Sequence, residues 1–284
     1  MAHAYIVLSH GRYEGFIGLV GKATAIVGNN ATIAFTSPDF GISVGDGSSI
    51  TMRDIQFEEP LGVPTDRLGW IDIGSSKLDI DNMRSDVKTM PLIYGRGGDT
   101  ITMRRSNVIG ATPHVTRLVA DSCVFHTGGP AVTGSIELTN SIITSDSSPG
   151  NSGFAIQINS TSTLNPNSKI FNNTLVGGRV VCNVSGSLIQ FASNIFYNHT
   201  SMDAPSGCAY QYNLVTPAMT LGGNGNTTGD PMFVDLANGD FHLKAGSVAI
   251  DAADPAIVSI DRDYDGTHRP QGTRSDIGAF EYVP

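Results

Sequence analysis

The side chains best placed to do chemistry in this sequence stand at alternate positions of short strand-like runs. They are Arg53 after Thr51, Asp79 and Asp81, Arg104 after Thr102, Asp121 after Val119, Glu137 before Thr139, and Lys169. Carboxylates and bases alternate from one run to the next. Clustered carboxylates, here Asp79 and Asp81 with Asp121, are what acid–base hydrolysis of a glycosidic bond requires. The bland alternative is a solvated ladder whose opposite charges pair across neighbouring strands, each pair contributing little. A second group, Asp261-Arg262-Asp263-Tyr264-Asp265-Gly266, reads as D-x-D-x-D-G. That is the front half of a calcium loop, in which Asp261, Asp263 and Asp265 face one ion and Gly266 permits the sharp turn. The twelfth position is Gly272 rather than Glu, so a hydrogen-bonded turn is the competing reading.

Other reactive constellations are missing. His10, His114, His126, His199, His242 and His268 are scattered without metal-ligand spacing, and no G-x-S-x-G or phosphate-binding glycine loop occurs. Trp70, Tyr94, Tyr197, Tyr210 and Tyr212 offer rings for sugar stacking, although the tyrosines near 210 fall in a repeat-like segment where an inward position is expected.

What must position the charged residues is a repeat, stated most clearly by Ile136-Glu137-Leu138-Thr139-Asn140-Ser141-Ile142-Ile143. Ile136 and Leu138 point to one side of a strand, Asn140 bends the chain, and Ile143 follows. The pattern recurs as Ala25/Val27/Asn29, Ile50/Met52/Asp54, Leu78/Ile80/Asn82, Ile101/Met103/Arg105, Leu118/Ala120/Ser122, Ser168/Ile170/Asn172 and Ile189/Phe191/Ser193. In the Arg105 unit, Ser106 is the better bend residue. Stacked in register, the bend residues would share hydrogen bonds. First residues recur every 17 to 32 positions, a drifting period typical of solenoids, with insertions collecting in turns. The stretches Glu58 to Trp70 and Ser145 to Asn167 are expected to protrude. Strands and turns without intervening helices predict a parallel β-helix of about eight to ten coils.

At its ends the sequence resembles a known family. Gly229-Asp230-Pro231-Met232-Phe233-Val234-Asp235, the run Gly239 to Ala252, Asp263-Tyr264-Asp265-Gly266 with Arg269-Pro270, and Asp276-Ile277-Gly278-Ala279-Phe280-Glu281-Tyr282 are similar to the terminal module of bacterial choice-of-anchor Q proteins. Val248 stands where that module usually has Pro. Val7 to Gly15 is similar to a first coil of such proteins, with His10 in place of Pro. The resemblance is to right-handed parallel β-helix repeat proteins of the pectate-lyase-like superfold. It implies coils over 1–228 and a closing module over 229–284, with Asp251, Asp276 and Arg269 tying its loops. No helix precedes the first coil, so self-association through an uncapped N-terminal end is expected.

The superfold's lyases hold Ca²⁺ with carboxylates and remove a sugar proton with Arg or Lys. Carried over, Arg104 is the base, Asp81 and Asp121 its catalytic carboxylates, and Arg53, Asp79, Glu137 and Lys169 bind substrate. No lyase signature motif accompanies them. Three functions follow as expectations: a secreted or cell-surface β-helix that binds polysaccharide, a Ca²⁺-dependent lyase of uronate-containing glycans, or a structural adhesin.

Composition narrows the field further. A net charge of −9 argues against nucleic acid as a partner, since phosphate binding needs a basic surface. No apolar run is long enough to span a membrane and no signal peptide is recognisable, so an extracellular location comes from the resemblance alone. Cys123 is expected to pack inward. Cys182 and Cys208 lie about one coil apart, close enough to pair in an oxidising compartment or to remain two thiols.

Overall fold

The computed structural model describes residues 4–19, 23–37, 41–59, 69–87, 92–110, 114–126, 129–145, 153–160, 168–184, 189–199, 201–202 and 207–284. Twenty-five strands form one continuous network in which every pairing is parallel, as a chain coiling around an axis produces. Each coil contributes short strands to three faces. On the second face ten rungs stack in unbroken register, from Ala4–Leu8 to Cys208–Gln211.

Alternation along each strand builds the core. Ile50, Leu78, Ile101, Leu118 and Ile136 form one inward column, and Ile26, Met52, Ile80, Met103, Ala120, Leu138, Ile170, Phe191 and Tyr210 form another. All are buried. Burying such side chains contributes roughly 1.5–3 kcal/mol for each large aliphatic or aromatic group. Phe35 stacks between Trp70 and Phe57, at centroid distances of 4.7 and 5.7 Å. Trp70 is fully buried and donates from Nε1 to Glu59 Oε2 at 3.2 Å, so it is a core ring and not a sugar platform. Tyr210 is likewise buried.

The bends obey the local chemistry, with three corrections. Asp54, Asn82, Arg105, Ser122, Asn140, Asn172 and Ser193 all have positive φ, a conformation that Asn and Asp adopt at low cost. Arg105, and not Ser106, takes that conformation in its unit. The first unit is shifted by one residue. Thr24 and Ile26 face inward and Asn30 has positive φ, because Gly28-Asn29-Asn30 makes a wider turn there. Bend residues share a bond where Asn82 Nδ2 donates to Asp54 Oδ1 at 2.7 Å, but an asparagine ladder sits one position beyond the bends. Asn173 N–H donates to Asn194 Oδ1, Asn194 N–H to Asn213 Oδ1 and Asn213 N–H to Asn226 Oδ1, each at 3.0 Å. The left-handed residue aims its own side chain outward, so the next residue turns in.

Most of the expected protrusions at Glu58 to Trp70 and Ser145 to Asn167 fall outside the described residues. Within the second of them, however, Phe154–Ser160 is a strand of the network, paired in parallel with Arg179–Val184. Cys182 and Cys208 form a disulfide between neighbouring coils, their Cα atoms 6.6 Å apart. Cys123 is a buried free thiol, and burial pushes its pKa up to about 12.

Closure of the solenoid has two parts. Met219 and Leu221 pack on the last coil, and Asn226 completes the asparagine ladder. The residues that follow lie along the flank. The third face's outward column reads Thr32, Gln56, Arg84, Asn107 and then Val124, Ile142, Thr174, Ile195, Leu214. Where it turns apolar, Phe233, Phe241, Leu243, Ile277 and Phe280 cover it. The dock is fixed by Arg269, whose Nη1 donates to Glu281 Oε1 at 2.7 Å with both side chains fully buried, and whose Nη2 reaches Asn140 Oδ1 at 3.4 Å. Asp276 accepts from the N–H of Asp251 and of Tyr282, and Asp276 O accepts from Asn172.

Candidate functional site

The outward residues of the second face form two columns. Arg53, Asp81, Arg104, Asp121 and Thr139 succeed one another in the first, and Thr51, Asp79, Thr102, Val119, Glu137 and Lys169 in the second. Rungs about 4.8 Å apart bring neighbours within hydrogen-bonding reach. Asp81 is paired with Arg105, from the bend of the next rung. Asp121 Oδ1 accepts from Thr139 Oγ1 at 2.7 Å and from Asn140 Nδ2 at 3.1 Å. Glu137 lies between Arg117, at 3.0 Å, and Lys169, at 3.7 Å. Among the described residues Arg53, Asp79 and Arg104 have no side-chain partner, and both arginines are exposed.

Residues 259–266 of the flanking segment descend beside these columns and turn part of the face into a groove of about 510 Å³. Arg104, Asp121, Glu137 and Lys169 line one side, and Asp261, Asp263, Tyr264 and Asp265 the other. Arg53, Asp79 and Asp81 lie outside that lining. The fold thus brings together four of the seven expected face residues and joins them to the aspartates of the D-x-D-x-D-G run.

Those aspartates are not arranged for calcium. Asp263 is buried; its Oδ1 accepts from Asp265 N–H at 3.0 Å and Thr267 N–H at 2.7 Å, and its Oδ2 from Glu281 N–H at 2.9 Å. Asp265 Oδ2 lies 2.7 Å from His242 Nε2. Arg262 Nη1 donates to Gly266 O at 2.7 Å and closes the turn. Oxygens committed to N–H donors leave little capacity for a cation. Among the described residues no three His, Cys, Asp or Glu side chains converge on a metal position. Asp81 and Asp121, engaged by Arg105 and by Thr139 and Asn140, fit a calcium site no better.

Two titratable groups of the flanking segment have shifted pKa values. His242 is one. Partial burial lowers its pKa, but the hydrogen bonds its ring donates to Asp265 and Asp240 outweigh this and hold it above the usual histidine value. Asp240 in turn is held below the usual carboxylate range by His242. The signal was the alternation Asp240-Phe241-His242, which puts both polar side chains on one side of a strand. Asp276 is the other. Burial raises its pKa to about 6, against the N–H bonds from Tyr282 and Asp251.

No family model matches the chain, and no curated protein does. Among solved structures it is similar to the crystal structure of pectate lyase Pel9A, with a TM-score of 0.52 and 15% identity over 98% of this chain and 88% of that one. The fold is the pectate-lyase-like right-handed parallel β-helix. A further likeness, to a PL6 family alginate lyase AlyGC, has a TM-score of 0.32 and 13% identity over 85% of this chain and 52% of that one. At such identities the likeness extends to the β-helix and not to its chemistry. The similarity of the flanking segment to choice-of-anchor Q modules rests on its motifs alone.

Proposed function

We propose that this β-helix is a secreted or cell-surface protein that binds an acidic polysaccharide in the groove between its second face and residues 259–266. One observation carries the reading: Arg104 stands exposed and without a partner inside a groove where Asp121, Glu137, Asp263 and Asp265 are already engaged. A guanidinium in that setting offers its donor fork to a ligand carboxylate. Lys169, 3.7 Å from Glu137, adds a second cation. The Cys182–Cys208 disulfide suits an oxidising compartment and supports the location.

Elimination on a uronate polymer is the second reading, favoured by the same unpartnered Arg104 in the role of base. It is weakened by the commitment of Asp81 and Asp121 to protein partners and by the absence of a calcium arrangement among the described residues. An adhesin in which the coil only supplies length is the third.

The test is calorimetric titration with oligogalacturonate and oligoalginate, alongside ultraviolet detection of an unsaturated product with and without Ca²⁺. Binding without product, weakened about tenfold by Arg104→Ala, is expected, since a charged hydrogen bond contributes roughly 1.5–3 kcal/mol. Product formation would establish the lyase instead. Silence of both ligands in both assays overturns the acidic-glycan reading.

A further inference from the structure

We propose that His242 is a protonation-controlled clamp on the outer wall of the groove, holding residues 261–266 in place in acid and releasing them as the ring becomes neutral. What this does to a ligand rests on the acidic-glycan reading above. The clamp itself does not.

The geometry supplies the argument. His242 stands on the strand Asp240–Leu243, partly exposed, with its ring centroid 4.0 Å from that of Phe280. Its Nδ1 is 2.6 Å from Asp240 Oδ1 and its Nε2 is 2.7 Å from Asp265 Oδ2. A neutral imidazole has one N–H and one lone pair, so only the imidazolium can donate to both carboxylates. When the proton leaves, one nitrogen turns a lone pair toward an anion. The contact with Asp240 lies within one strand and is backed by the His242 N–H, which donates to Asp240 Oδ1 at 3.1 Å. The contact with Asp265 is the one that reaches across to the loop, so it is the one to give way.

Two anions, one cation and a phenol surround the ring, and the two anions, Asp240 and Asp265, are the groups that raise its pKa. Asp240 and Lys244 come from its own strand, and Asp265 and the Tyr264 phenol from the loop. Phe280 contributes no charge. The folded-state pKa of His242 is raised, so the stabilisation is complete below the unfolded value and disappears as pH climbs through the folded one. Release also frees the Asp265 carboxylate beside Asp261 in the groove lining. An acidic ligand is then repelled, and its affinity falls as pH rises.

The experiment uses the full chain between about pH 5 and about pH 9, the range in which histidine changes charge. The His242 ring is titrated by NMR while amide exchange is followed at 261–266, corrected for intrinsic base catalysis, with Thr100–Arg104 as internal reference. The expected result is a several-fold loss of protection in the loop centred on the His242 midpoint, no change in the reference strand, and a flat loop profile in His242→Gln. A loop profile flat in the wild type, or a ring midpoint at or below that of free histidine, overturns the clamp. Oligogalacturonate and oligoalginate titrations at the two pH limits separate the claims. A responsive loop without ligand binding upholds the clamp and sinks the glycan reading, whereas binding beside an unresponsive loop does the reverse.

Discussion

The Arg269–Glu281 pair offers the sharpest perturbation of the flanking segment. Both side chains are fully buried, and Glu281 accepts three bonds: from Arg269 Nη1 at 2.7 Å, Asp276 N–H at 2.7 Å and Gln271 N–H at 3.0 Å. Glu281→Gln keeps the shape but supplies one acceptor oxygen where two are in use. An amide NH₂ must then face an N–H or the guanidinium, at a cost of about 1–3 kcal/mol for the unsatisfied group. Removing one partner of a buried pair costs about 3–5 kcal/mol, because the remaining charge stays buried. Asp263 and Asp276 still face Arg269, which places the expected loss at the lower end, about 3 kcal/mol. Amide exchange reads the segment directly, and a drop in protection of roughly 100-fold across 261–282 is expected from that free energy. Trp70, the only tryptophan, reports the N-terminal coils and should show a smaller shift in its urea midpoint. Release of the segment would uncover Val124, Ile142, Ile195 and Leu214, which a hydrophobic dye would detect. A loss below about 1 kcal/mol would refute the claim that this pair anchors the segment.

Three other perturbations test separate parts of the fold. Replacing Cys182 and Cys208 together by Ser opens a link spanning 26 positions, and the chain-entropy relation gives about 3.5 kcal/mol of lost stability, measurable by urea unfolding. His199 is buried, and burial lowers its pKa to about 4, so its ring should remain neutral by NMR down to that pH. Because the unfolded ring takes up its proton near 6.5, this residue makes stability fall as pH drops from there toward about 4; protonation at the ordinary histidine value in the folded protein would contradict the burial. A Cβ at Gly28 would lie 2.2 Å from the Asp54 carbonyl oxygen, so Gly28→Ala should cost about 1–3 kcal/mol in thermal unfolding, and a neutral result would show that the wide first turn can yield.

Much of this architecture was legible because its causes are local. Inward and outward positions alternate with a period of two, so Leu78, Ile101, Leu118 and Ile136 declare a buried column to anyone who counts. The bends were legible for a similar reason, since Asn and Asp accept a left-handed backbone cheaply. Three local readings slipped by a residue. The positive φ fell on Arg105 and not Ser106, the wider turn at Gly28-Asn29-Asn30 changed the phase of the first unit, and beside the bond between bend residues Asn82 and Asp54 an amide ladder formed one residue on, at Asn173, Asn194 and Asn213.

The sequence alone therefore determined the coil, the direction of each strand side chain and the set of charges that must face water. It even carried a trace of the flanking contact, in the change from Gln56, Arg84 and Asn107 to Val124 and Ile142 along one outward column. Tertiary structure decided which charges share a groove and which aspartates are consumed by backbone donors. The contacts responsible join residues about a hundred positions apart, such as Asn172 to Asp276 and Arg269 to Asn140. No periodicity encodes such pairs, because they form only when apolar faces from distant segments find one another and carry their polar groups with them.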